Sequence, residues 1–161
     1  MNGIDEKNRK RVSEAIEKLL ADTYALFLKT QNYHWNVSGD DFNDLHEMYE
    51  KQYTEMFTAI DELAERIRML GFRVPGTFER FNAVTSISPG NAELDTEAMT
   101  VDLADSHGAI IKAIREVAKI AHECGDFGTV DFLSDRLQAH EKFLWMLRTK
   151  TSTDNSKPLI E

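Results

Sequence analysis

The chain has one cysteine, Cys124, with three prolines and eight glycines in 161 residues. A single thiol excludes an intrachain disulfide framework, so stability must come from an apolar core. Sparse proline and glycine remove the punctuation that a turn-rich β fold needs and favour long helices. No apolar run approaches the ~20 residues of a membrane span. The opening segment MNGIDEKNRKRV has no apolar signal region, and the chain is expected in the cytoplasm. Basic residues are outnumbered, with 19 Lys and Arg against 28 Asp and Glu, giving a formal charge of −9. That balance argues against general affinity for nucleic acid, which needs a basic footprint, and favours cations. Hydrophobic residues make up 42% of the chain, enough for one well-filled domain over 1–161.

Apolar residues recur at helical spacing in four long segments. The first is expected from an N-cap at Asp5 to about Val37, through Val12, Ile16, Leu19, Leu20 and Phe27. Ser38-Gly39-Asp40-Asp41 breaks it, with Gly39 suited to the position after the helix end. The second is expected from about Phe42 to Leu70, stopped by Gly71, and the short link makes the pair antiparallel. Residues 71–96 hold Pro75, Gly76, Pro89 and Gly90, with a short helix expected around Phe78, Phe81 and Val84. Two more helices are expected, from about Ala98 to Cys124 and from about Thr129 to Thr149, separated by Gly125-Asp126-Phe127-Gly128. A polar, mobile tail is expected from about 151 to 161. The pattern predicts an all-α four-helix bundle with one long crossover carrying a short extra helix.

Five potential metal ligands fall in one stretch: His34, His46, Glu50, Asp61 and Glu65. His46 with Glu50, and Asp61 with Glu65, are i, i+4 pairs that each present two ligand atoms on one helix face. Imidazole and carboxylate together suit iron, manganese and zinc. Taken singly, such pairs are ordinarily solvated helix surface. The separation between them is more informative: fifteen residues at ~1.5 Å each place His46 about 22 Å from Asp61. One chain cannot close that gap, so a shared site requires a second copy of the helix running antiparallel. Two copies about a two-fold axis would generate two equivalent sites, and His34 is close enough along the chain to join His46. The intrachain di-iron signature, Glu-x-x-His, is absent: Gln31, Asn43, Ala104, Lys119 and Leu137 precede the five histidines by three residues.

The surrounding residues, His34-Trp35-Asn36-Val37-Ser38-Gly39, then Phe42, Leu45-His46-Glu47, Tyr53 and Asp61-Glu62-Leu63-Ala64-Glu65-Arg66, closely resemble the Dps family. These are ferritin-like mini-cages, also called DNA-binding proteins from starved cells. The resemblance extends to Lys142-Phe143-Leu144-Trp145. It implies a ferritin-like bundle assembled as a dodecameric hollow shell, with ferroxidase sites at two-fold interfaces. It implies oxidation of Fe(II), with hydrogen peroxide preferred to dioxygen, storage of ferric oxide, and protection of DNA from oxidative damage. His34 and His46 would come from one subunit and Asp61 and Glu65 from its partner, holding two irons per site, with zinc or manganese able to substitute. Glu50 stands where many members have Asp and would support the second iron. Trp35 resembles the site-adjacent Trp thought to intercept radical equivalents; its alternative reading is a large core residue at a helix end.

Asp126, Asp131 and Asp135 resemble the acidic lining of the family's three-fold iron-uptake pores, with Asp131 the best match. Helix N-terminal acids are the alternative reading for Asp126 and Asp135. Glu47 and its neighbours are expected mainly as surface, with cavity lining as the alternative. His107, His122 and His140 are isolated in sequence and read as surface or structural histidines. The rival function, a nucleoid-associated protein that compacts DNA, finds little support: Lys7, Arg9, Lys10 and Arg11 are few and interleaved with Asp5 and Glu6.

Overall fold

The computed structural model describes residues 3–151. Among them are five helices and no strand: α1 (Glu6–Asn36), α2 (Phe42–Met69), α3 (Phe78–Val84), α4 (Thr96–Glu123) and α5 (Phe127–Thr151). The expected tail lies, beyond Thr151, outside the described residues.

Local side-chain chemistry starts four of the five helices, α2 having no side-chain cap bond. Asp5 accepts from the Asn8 amide (2.9 Å), Thr77 from Arg80 (3.1 Å), Asp95 from Ala98 (2.8 Å) and Asp126 from Thr129 (3.1 Å). Each bond satisfies one of the first-turn amides that no helix can pair internally. α4 therefore begins two residues before the expected Ala98. α5 begins at Phe127 rather than Thr129, because Gly125 (φ 71°) makes the turn and Asp126 the cap, leaving Gly128 inside the helix. Gly39 also departs from expectation. α1 ends at Asn36 with Val37 extended, and Gly39 instead closes the link, its carbonyl accepting from the Phe42 amide (3.1 Å).

α1 packs on α2 and α4, and α5 packs on α4 and touches α2. Ser38 and Thr96 bond to each other at one end, and Arg11 pairs with Glu123 at the other. α4 thus runs antiparallel to α1, giving an up-down-down-up order with the crossover returning along α1. The core is continuous through Ile16, Leu20, Leu26, Met56, Leu63, Ile67, Leu103, Ile110, Leu133 and Leu147, all buried. A buried side chain of this size contributes ~1.5–3 kcal/mol.

Two buried charges hold the crossover down. The Asp22 carboxylate, 1% exposed, accepts from the Ser86 amide (2.6 Å), the Thr85 hydroxyl (2.9 Å) and the Lys18 ammonium (2.7 Å). Lys29 donates to Asp102 (3.0 Å), Ser88 and Ser106. Tyr33 donates to Asp102 (2.5 Å) and accepts from the Asn91 amide; burial and the Asp102 hydrogen bond push its phenol up to about 12. Asp22→Ala is expected to destabilise the fold by about 2–4 kcal/mol, since it takes the shared buried acceptor from the Ser86 amide, the Thr85 hydroxyl and the Lys18 ammonium. Denaturant unfolding of the variant measures this, and a change below about 0.5 kcal/mol would contradict the assigned role.

Candidate metal centre

His34 lies in the last turn of α1 and His46 in the first turns of α2, on either side of a five-residue link. The hairpin stacks their rings, with centroids 3.7 Å apart and planes 19° off parallel. Phe42 stacks on the free face of His46, and Tyr53 sets its edge against His34. The hydrogen bonds are reciprocal. His34 Nδ1 lies 2.8 Å from the His46 carbonyl, and His46 Nδ1 lies 2.8 Å from the His34 carbonyl. A carbonyl only accepts, so both Nδ1 atoms must carry the proton. In the neutral rings Nε2 is then the lone-pair nitrogen on both histidines. Backbone bonds of this kind orient metal-binding imidazoles and select their tautomer.

α2 is one unbroken helix from Phe42 to Met69. Glu50 follows His46 by one turn, while Asp61 and Glu65 sit on its far half, so the protomer does not unite them with the histidines. All three carboxylates are exposed. Among the described residues none forms a hydrogen bond or ion pair, and no group of three or more His, Cys, Asp or Glu comes together to hold a metal. The protomer thus keeps the His34–His46 pair and the Asp61–Glu65 pair apart, toward opposite ends of α2.

A family model described as a ferritin-like domain matches residues 13–155. The chain is 34% identical over 139 residues to DNA protection during starvation protein 2 of Bacillus anthracis, covering 86% of this chain and 95% of that protein. It is 32% identical over 147 residues to the DNA protection during starvation protein of Porphyromonas gingivalis, covering 91% and 92%. The Dps protein of Vibrio cholerae O1, described as a member of the ferritin-like diiron-carboxylate superfamily, superposes with a TM-score of 0.90 at 31% identity over 94% of this chain and 96% of that one. Dps from Thermosynechococcus elongatus gives 0.89 at 30%, over 92% and 95%. The chain belongs to the Dps family.

The remaining candidates separate once placed on this Dps protomer. Trp35 is 62% exposed beside His34, which overturns its reading as a core residue. Asp126 is buried: it pairs with Arg66 (2.5 Å) and caps α5 through the Thr129 amide and hydroxyl. Its carboxylate is consumed within the protomer and is not free to line a pore. Asp131 and Asp135 remain exposed, one turn apart on α5. Glu47 is exposed and pairs with Lys51.

His107 and His140 are structural histidines, and although far apart in sequence they meet each other. Their Nδ1 atoms lie 2.9 Å apart in the core, and only His122 of the three is exposed. The available signal was positional. His107 continues the apolar stripe of Leu103, Ile110 and Ile114, and His140 that of Leu133 and Leu147. No described helix is long and apolar enough to cross a membrane.

Proposed function

We propose that this protein oxidises and stores iron, with Fe(II) as substrate and ferric oxide as cargo. The locked His34–His46 pair carries the reading. It sets two imidazoles in one tautomer without a carboxylate partner of their own, which is the donor half of a nitrogen–oxygen site for iron, zinc or manganese. Asp61 and Glu65, exposed and unpartnered, would supply the oxygen half from a second copy whose α2 runs antiparallel. Glu50 would support the second iron. Leu28, Phe57 and Phe78, on α1, α2 and α3, are large apolar side chains 49–76% exposed. Such surface favours association, here into the dodecameric shell the family implies.

The chemistry follows from pairing two irons. Each Fe(II) gives one electron to a single peroxide, whose O–O bond breaks and leaves as two waters after taking up two protons. No lone iron then cleaves peroxide to a hydroxyl radical, and this would protect DNA in the cytoplasm. Trp35, exposed beside the site, would act as a sacrificial electron donor when only one iron is bound. Copies of Asp131 and Asp135 would attract Fe(II) at a pore mouth. DNA compaction gains no support from the N-terminal basic residues: Arg9 donates to the Leu70 carbonyl and Arg11 to Glu123.

Loading the assembled protein anaerobically with Fe(II) and then adding peroxide tests the proposal. About two irons oxidised per peroxide, without spin-trapped hydroxyl radical, is the expected result. One iron per peroxide, with radical formation, would overturn it.

A further inference from the structure

The core contains a second histidine pair that iron oxidation does not use. His107 on α4 and His140 on α5 are buried, at 0% and 1% exposure, where α2, α4 and α5 meet. Their hydrogen bonds form a chain with one permitted direction. Arg136 can only donate, so its Nη2 (3.3 Å) makes His140 Nε2 the acceptor. His140 Nδ1 then carries the proton and donates to His107 Nδ1 (2.9 Å). His107 Nε2, in turn, donates to Gln52 Oε1 (3.3 Å). Every nitrogen of the two rings is used, and both rings are neutral. A further proton on either ring would set two N–H groups against each other at a bond that needs one acceptor. The buried Gln52 Nε2 has no partner, so the network has little slack for rearrangement. Among the described contacts the charged groups facing the pair are Arg136 of α5 and Glu55 of α2, which bind each other through two hydrogen bonds. Phe143 closes against both rings.

We propose that the His107–His140 pair is an acid-sensitive latch joining α2, α4 and α5, which holds the bundle only while both imidazoles are neutral. Burial first, and the Arg136 charge after it, push His107 down to about 3; burial, with His107 and Arg136, holds His140 well below its usual range. The sign is fixed. These groups stay neutral in the fold but take up protons near pH 6.5 when unfolded. Stability is therefore full above about pH 6.5 and falls as the pH drops toward the folded values.

Two measurements on the assembled protein test the latch. The first is histidine C2 hydrogen–deuterium exchange, read by mass spectrometry on the wild type. His107 and His140 should exchange slowly and at a flat rate from pH 5 to 8. Ordinary sigmoids at His107 and His140 would overturn the proposal. The second compares thermal midpoints from pH 7.5 to 4.5 with those of His107→Gln/His140→Gln, which should retain iron oxidation at neutral pH. The wild-type midpoint should fall more steeply, with up to one more proton taken up on unfolding per imidazole removed. Parallel slopes would overturn it. If the double variant fails to assemble, the exchange profile of the wild type decides alone.

Discussion

His46→Ala lowers the initial rate of peroxide-dependent Fe(II) oxidation by at least about 100-fold, a loss expected when a ligand itself is deleted, since removing only a ligand's supporting partner costs ~10–100-fold. The substitution deletes one Nε2 and also the N–H that binds the His34 carbonyl. His46 is preferred to His34 as the test because it is only partly buried, so its loss leaves little cavity. Oxidation rate, measured beside helix content and oligomer mass, separates a dead site from a misfolded chain. A correctly assembled variant oxidising within about threefold of wild type would remove His46 from the site.

Asp61→Ala should be as inactive as His46→Ala, yet unfolding and reassembling the two variants together should restore activity. If each site takes its histidines from one copy and its acids from another, a mixed pair holds one site with both defects and one with neither. Random pairing at equal amounts makes half the pairs mixed, so about a quarter of all sites are intact. Recovery to about a quarter of wild-type activity is the expected result. No recovery in mixed oligomers of full size would place the whole site within one chain, against the geometry of α2. The outcome is sharp because neither parent contributes background.

Glu50 tests the same arrangement more gently. It sits one turn beyond His46 with no partner of its own, and its carboxylate reaches one methylene further than the Asp common in the family. In the proposed site that difference would act on the second iron position, whereas His34 and His46 are fixed by backbone carbonyls that do not depend on it.

The helices were legible because their determinants are local. Apolar spacing, the Asp5 cap and the stop at Gly71 operate within a few residues. The errors were short-range competitions between signals. Gly128 looked like a breaker, but the Asp126 cap three residues before Thr129 extended the helix over it. The separation of His46 from Asp61 and Glu65 was also legible, because helical rise converts residue number directly into distance along the unbroken α2.

What the sequence could not disclose depends on which faces meet across the bundle. Asp126 reads as either a pore acid or a helix N-terminal acid until the fold makes it the α5 cap and α2 brings Arg66 beside it. His107 and His140, thirty-three residues apart, meet only through the packing of α4 on α5, and their proton order depends on an arginine that must donate. The tautomers of His34 and His46 likewise follow from two carbonyls brought within 2.8 Å by the hairpin. By itself, then, the sequence determined the helices and the distance along α2 that keeps His46 from Asp61 and Glu65, because periodicity and rise along a helix are properties of the chain. The tertiary structure decided which carboxylates stay free, which nitrogens carry protons and which histidines are buried together, because those depend on contacts between segments distant in sequence.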